Sequence, residues 1–173
     1  MLVGVLIGLI AALAVADRQG WLIYPGGPMT RYDGRTFRVR EVIDGQTLEV
    51  VDPDRPRQVL RVRLWGIDAP PLLPVARSDS AHSAEPWPQR AIELIKRLAQ
   101  GQMVRLRLEP QRVWDDQGRL LAFVELPDGS LLNERLLAEG FARLEERWEH
   151  HHQERFRLLE MQAQREGLGV WAR

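Results

Sequence analysis

Two short polar segments carry the side chains best suited to chemistry. The first is the sequence DGQT at 44–47, and the second contains Arg63 and, five residues later, Asp68. Carboxylate oxygens are the ligands that a hard cation such as Ca²⁺ prefers, and the planar guanidinium group of arginine suits a phosphate. Each segment lies where a predicted strand ends. We therefore expect the carboxylates and the arginine to meet at one mouth of a small barrel.

Three predicted strands position these segments. β-Branched residues alternate with polar ones along 37–43, and further β-rich runs follow at 46–51 and 58–64. The dipeptide DG at 44–45 separates the first two runs, and PDRP at 53–56 separates the next two. Alternation broken by such short turn sequences is typical of β-hairpins.

The rest of the chain predicts two further strands and three helices. Alternating apolar residues favour strands, whereas apolar residues spaced three and four apart favour helices. The predicted strands are 103–108 and 120–126, and the predicted helices are 87–100, 131–139 and 146–165.

Three consecutive histidines, His150 to His152, fall inside the last predicted helix. Consecutive residues of a helix point about 100° apart, so these side chains cannot converge on one metal ion. We expect them to lie on a solvated face.

The composition limits the classes of site and partner. Basic and acidic residues balance at 24 each, and Lys96 is the single lysine. Basic and acidic residues also nearly balance from Thr36 onward. This part of the chain therefore lacks the strongly basic charge of a general nucleic-acid binder, and any phosphate binding must come from local arginines. The absence of cysteine excludes disulfides, thiolate metal sites and cysteine nucleophiles.

The N-terminal segment at 1–24 predicts a membrane anchor or a signal segment. Leu2 to Ala16 contains no charge, but as a helix it spans roughly 22 Å, less than the ~30 Å hydrocarbon core of a bilayer. Either an anchor extends to Tyr24, or a signal peptide is cleaved near Ala16 and the protein is secreted. We favour the anchor, because the positively charged start of a signal peptide is missing. A Pro/Gly linker is predicted at 25–35.

Four motifs, in this order, carry a resemblance to a known family. They are VIDGQT at 42–47, VRLWGIDAP at 62–70, WDDQGRLLAF at 114–123 and LGVW at 168–171. The chain resembles the thermonuclease (staphylococcal or micrococcal nuclease-like) family, and the domain implied covers 36–173. The resemblance implies an α+β fold with a five-stranded OB-type β-barrel and about three helices. It also implies a Ca²⁺ site and the cleavage of DNA or RNA phosphodiester bonds.

The resemblance assigns roles to individual residues. It places the two arginines that serve the phosphate and its transition state at Arg63 and Arg119. It places a metal-ligating carboxylate at Asp68 and a nearby charge at Asp44. The family's second metal-ligating aspartate is replaced by Gln46, whose amide oxygen is uncharged.

The position of the family's general base also differs. The resemblance puts a glutamate directly after the proline of the D-x-P motif, where this chain has Pro71. Proline has no proton-accepting side chain, so we predict that the general base is missing. Since affinity for Ca²⁺ falls with the charge of its ligands, Gln46 further predicts weak or absent Ca²⁺ binding.

These departures predict a membrane-associated protein with a degenerate metal and base site and weak or no nuclease activity. Its expected partners are single-stranded DNA or RNA, another phosphate ligand, or a protein. The alternative is an active metal-dependent endonuclease with an altered metal site. The family's usual export favours the periplasmic or extracellular side of the membrane, whereas the arginines after the apolar segment favour the cytoplasm.

Overall fold

The structure is a computed structural model that describes residues 26–70 and 87–172, together with residues 5, 7–10 and 12–14 near the N-terminus. The strands of the described chain are β1 (Thr36–Val42), β2 (Thr47–Asp52), β3 (Arg55–Leu64), β4 (Ile67–Asp68), β5 (Met103–Arg107), β6 (Leu120–Glu125) and β7 (Arg143–Leu144). The helices are α1 (Pro28–Tyr32), α2 (Trp87–Ala99), α3 (Leu132–Ala138), α4 (Gln153–Glu166) and a 3₁₀-helix at Gly169–Trp171.

Five of the strands close into a barrel in the order β1–β2–β3–β6–β5. The neighbours are antiparallel except β3 and β6, which are parallel, and β1 pairs with β5 to complete the ring. β4 and β7 form a separate two-stranded sheet. The predicted α+β fold with a five-stranded OB-type barrel is confirmed.

The hydrophobic pattern of the sequence accounts for the barrel interior. Along β1, Phe37 and Val39 are buried while Arg38 and Arg40 are exposed, as expected when successive side chains point to opposite faces of a sheet. The two other predicted strands and the helices at 87–100 and 131–139 are also found, with ends that agree to within one residue.

The strand register brings the polar segments to one end of the barrel. Thr47, the first residue of β2, lies opposite Arg63 near the end of β3. In the parallel pair of β3 and β6, Val62 lies beside Leu120, so the residue before β6, Arg119, comes to the same neighbourhood. Three residues far apart in sequence therefore meet because of hydrogen-bonded register.

A buried asparagine links this end of the barrel to α3. Asn133 is fully buried, its Oδ1 accepts the N–H of Val124 at 3.0 Å, and its Nδ2 donates to the carbonyl of Trp65 at 2.9 Å. Both polar groups of the side chain are thus satisfied, as a buried amide requires. The contact fixes the turn at 65–66 against β6.

The segment predicted as a linker at 25–35 contains a short helix. Pro28 begins α1, where a missing N–H costs nothing, and Met29 and Tyr32 pack against the barrel core. Asp33 then accepts the N–H of Leu108 at 2.8 Å. This segment is therefore part of the domain, because its few apolar side chains find a surface on the barrel that composition alone does not reveal.

The last helix begins later than the sequence predicts. α4 starts at Gln153, and 146–152 forms turns and irregular backbone instead of helix. The buried carboxylate of Glu109 accepts the backbone N–H of His151 at 2.9 Å and also contacts the His151 ring. This long-range contact anchors the chain before the helix can begin.

The histidines do not share a solvated face, so that prediction is wrong. His150 is 9% exposed, and its ring packs against Phe123 and Phe156 with centroid separations of 5.3 and 5.1 Å. Neither of its ring nitrogens has a hydrogen-bond partner in the described part of the chain. Burial lowers the pKa of His150 to about 4, because the charged ring would lose its hydration.

Two regions lie largely or wholly outside the described residues. They are the anchor or signal segment at 1–24, of which a few helical residues are described, and the connection at 71–86, which includes Pro71. Among the residues that are described, no helix is both long enough and apolar enough to cross a membrane.

Acid is expected to destabilise the protein through His150. Histidine in the unfolded chain has a pKa of about 6.5, so between that pH and about 4 the unfolded state binds a proton that the folded state does not. Stability therefore falls as the pH is lowered through this window, by up to about 1.4 kcal/mol per pH unit. The free energy of unfolding, measured with urea at several pH values, should depend less steeply on pH in His150→Leu than in the wild type. Since all other titrating groups are shared, equal slopes would contradict this assignment.

Candidate functional site

A cleft lined by four arginines lies at the end of the barrel where β2, β3 and β6 bring their polar residues together. Its volume is about 210 Å³. Its charged and aromatic lining residues are Arg63, Arg112, Arg119, Arg147, Asp115, Asp116, Glu145, Trp65 and Trp148. The four arginines define what we call the arginine cleft, and three carboxylates leave it with a net positive charge.

Arg119 is fixed at the floor of the arginine cleft by two side chains. Its Nε donates to Asp115 Oδ2 at 2.6 Å, and its Nη1 donates to Thr47 Oγ1 at 3.2 Å. Thr47 is buried on β2, and Asp115 is buried in the turn before β6. The guanidinium group is therefore held by one buried partner on a barrel strand and by another in the turn before β6.

Asp115 organises the turn that carries Arg119. Its Oδ1 accepts the backbone N–H groups of Gln117 and Arg119, both at 2.9 Å, and Gly118 adopts a left-handed conformation with φ of 73°. Burial raises the pKa of Asp115, but the hydrogen bonds from Arg119 and Gln117 outweigh it and keep this pKa below its ordinary value. Sequence reasoning did not single out Asp115. A signal was present, because an aspartate side chain in a turn often accepts the backbone N–H of the residue two positions later.

Arg63 reaches the same cleft from the end of β3. Its side chain is 18% exposed, and its Nη2 lies 3.5 Å from Asp68 Oδ1. Arg63 pairs across the sheet with Thr47, the residue that also binds Arg119. The structure thus brings Arg63 and Arg119 together in the lining of one cleft.

Asp44 and Gln46 are engaged with the protein backbone. Asp44 Oδ1 accepts the N–H of Gln46 at 2.8 Å within the turn between β1 and β2. Gln46 Oε1 accepts the N–H of Ala69 at 3.1 Å. The described residues that line the arginine cleft do not include Asp44, Gln46 or Asp68.

The donor atoms at these positions do not fit a Ca²⁺ site in this arrangement. Ca²⁺ takes six to eight oxygen ligands, usually with several carboxylates. Here the Asp68 carboxylate faces a guanidinium group and the Gln46 oxygen is hydrogen bonded. Within the described part of the chain, no group of three or more histidine, aspartate or glutamate side chains can hold a metal ion.

Sequence reasoning also missed Arg112 and Arg147, two of the four arginines that line the arginine cleft. The Arg112 guanidinium stacks over the ring of Trp148 at 4.2 Å and contacts Asp116 at 3.1 Å. Arg147 donates two hydrogen bonds to the Glu145 carboxylate, at 2.9 and 2.6 Å. These bonds lower the pKa of Glu145 and raise the pKa of Arg147. In an arginine-rich sequence nothing distinguishes these two arginines from surface residues, because their placement depends on the turns before α4.

Comparison with known proteins agrees with the geometry. The family model described as "Staphylococcal nuclease homologue" matches residues 61–173. A protein from Escherichia coli O157:H7 named "Uncharacterized endonuclease" is 27% identical over 135 residues, which cover 78% of this chain and 76% of that protein. A protein of the same name from Escherichia coli matches to the same extent. The four motifs, the closed barrel and the family match lead to one conclusion: this chain belongs to the staphylococcal nuclease family.

Proposed function

We propose that this protein binds the phosphodiester backbone of single-stranded nucleic acid in the arginine cleft and hydrolyses it slowly or not at all. One observation carries the proposal. Arg63 and Arg119 converge on the cleft, while the groups at the expected metal positions are engaged in contacts within the protein.

Binding is supported by the chemistry of the cleft lining. A guanidinium group can donate two parallel hydrogen bonds to a phosphate, and such charge-assisted bonds are stronger than neutral ones. Trp148, which is 45% exposed beneath Arg112, offers a flat apolar surface beside these cations. Cations along the backbone together with aromatic faces for the bases are typical of proteins that bind single strands without reading sequence.

Slow hydrolysis is supported by the groups that are missing or occupied. Pro71 stands where the resemblance puts a glutamate base, and general-base catalysis is typically worth about 10²–10⁴ in rate. The oxygen of Gln46 is uncharged and hydrogen bonded to Ala69. Without a hard cation, neutralisation of charge on the reacting phosphate falls to the arginines of the cleft.

The proposal also places the domain at a membrane. Leu2 to Ala16 contains no charged residue, and the apolar and aromatic residues Trp21 to Tyr24 extend it after a short polar interruption. Aromatic residues are enriched where a segment meets the membrane interface.

Fractionation of cells that produce the full chain tests this placement. We expect the protein in the membrane fraction, resistant to extraction by high salt and released by detergent, because the contact is apolar. Deletion of residues 2–24 should move it to the soluble fraction. Recovery of a shortened protein in the soluble fraction, with its N-terminus beginning after Ala16, would instead support cleavage and secretion.

Nucleic-acid binding should depend on the cleft arginines and not on Ca²⁺. In the presence of EGTA, Arg63→Ala is expected to weaken the binding of a labelled single-stranded oligonucleotide by about 10-fold or more, since a hydrogen bond to a charged group contributes about 1.5–3 kcal/mol. Arg63 is the preferred site because its partner Asp68 is 63% exposed, so no buried charge remains. Fluorescence anisotropy over a series of salt concentrations gives both affinity and salt slope.

Arg105→Ala is the matched control for this experiment. Arg105 is also a strand arginine paired with a carboxylate, Glu125, but it lies outside the residues that line the cleft. The proposal requires that this variant keep wild-type affinity and salt slope. Equal losses in both variants would show nonspecific charge attraction and would contradict a site in the cleft.

The second candidate function is an active metal-dependent endonuclease with an altered metal site. It is favoured by the presence of Arg63, Arg119 and Asp68. The name of the Escherichia coli relatives, which calls them endonucleases, also favours it. The double substitution Gln46→Asp with Pro71→Glu separates the two candidates. If the site is degenerate, cleavage of a labelled oligonucleotide in Ca²⁺ should rise about 100-fold or more above a near-background wild type.

The uncharged pair Gln46→Asn with Pro71→Gln is the control for that gain, because it alters the same positions without adding a carboxylate. Ready cleavage by the wild type in Ca²⁺, abolished by EGTA and not increased by the double substitution, would support the second candidate instead.

A further inference from the structure

The Gln46 side chain joins two segments of the chain that flank the arginine cleft. Its Oε1 accepts the N–H of Ala69, just after β4, at 3.1 Å. Its backbone N–H donates to Asp44 at 2.8 Å, and its carbonyl accepts the N–H of Leu64 at 2.8 Å. One residue therefore links the β1–β2 turn, the end of β3 and the segment after β4.

The packing around this residue is close. A Cβ added to Gly45 would lie 3.0 Å from the Cβ of Ala69 and 3.3 Å from that of Ala91 on α2. Ala69 and Ala91 are buried. The turn thus rests directly on the segment after β4 and on α2, and the Gln46–Ala69 hydrogen bond lies at the edge of this contact.

One partner of each of the two phosphate-binding arginines is next in sequence to a member of this hydrogen bond. Thr47, which follows Gln46, accepts the hydrogen bond from Arg119. Asp68, which precedes Ala69, contacts Arg63. A change in the separation of Gln46 and Ala69 would therefore move one partner of each guanidinium group, Thr47 for Arg119 and Asp68 for Arg63.

We propose that Gln46 is a positioning residue whose amide oxygen holds the β1–β2 turn against the segment after β4, so that the arginine cleft keeps its shape without a metal ion. The effect on ligand binding rests on the proposed function, whereas the effect on the fold does not. The link needs an acceptor at the length of a glutamine side chain. An aspartate is one methylene shorter and would leave the N–H of Ala69 without this partner.

Three substitutions of Gln46 in the full chain test the inference through thermal unfolding in EGTA. Gln46→Leu removes the acceptor and is expected to lower Tm by about 3–8 °C. Gln46→Asp should lower it similarly. Gln46→Glu keeps an oxygen at the same distance and should remain closer to the wild type than either.

Oligonucleotide affinity provides the readout that a purely structural role would not move. At a temperature where all variants are folded, Gln46→Leu should bind a single-stranded oligonucleotide at least about threefold more weakly, and Gln46→Glu should restore part of that loss despite its added negative charge. In the wild type, adding Ca²⁺ should change neither Tm nor affinity.

The outcomes separate this inference from the proposed function. Wild-type Tm and affinity in Gln46→Leu would overturn it, as would a wild type that Ca²⁺ stabilises by several degrees. If no form of the protein binds the oligonucleotide, the proposed function fails. The Tm series would then still decide whether Gln46 holds the two segments together.

Discussion

The buried ion pair between Arg119 and Asp115 is the interaction on which the arginine cleft depends. Nε and Oδ2 are 2.6 Å apart, and the two side chains are only 16% and 6% exposed. A carboxylate so withdrawn from water is tolerated because the guanidinium group and two backbone N–H groups complete its hydrogen bonds. Removing one member of a buried pair costs about 3–5 kcal/mol, since the other charge stays buried. Arg119 is therefore oriented by the protein before any ligand arrives.

Arg63 and Arg112 are held by weaker contacts than Arg119, so the cleft combines a fixed cation with two cations that can exchange partners. Arg63 lies 3.5 Å from a carboxylate that is 63% exposed, and the Asp116 partner of Arg112 is 97% exposed. Exposed pairs contribute about 0–1 kcal/mol, so a phosphate can displace these carboxylates at little cost. The geometry thus allows Arg119 to set the position of a phosphate while Arg63 and Arg112 change partners to reach it.

The sequence predicted the parts of this molecule that local chemistry determines. Alternation and turn residues located the barrel strands, and the motifs located Arg63 and Arg119. The parts it missed depend on contacts between distant segments. The helix at 146–165 was placed too early because Glu109 holds His151, and the histidine pattern gave no sign that His150 would enter a pocket of aromatic rings. The partner of Gln46, 23 residues away, is likewise set by the fold.

The closed barrel fixes the backbone positions of Arg63 and Arg119. Arg63 is fixed by its register with Thr47, and Arg119 by the parallel pairing of β3 with β6. These are backbone hydrogen bonds inside a ring of strands that has no free edge, so they do not depend on what occupies the positions of the metal ligands. A change of side chain at position 46 therefore leaves the backbone positions of both arginines in place and acts instead on Thr47 and Asp68, the neighbours of the Gln46–Ala69 hydrogen bond. Strand register thus brings the two arginines to the cleft, whereas side-chain contacts from the turns, those of Asp115 and Gln46, help to orient their guanidinium groups.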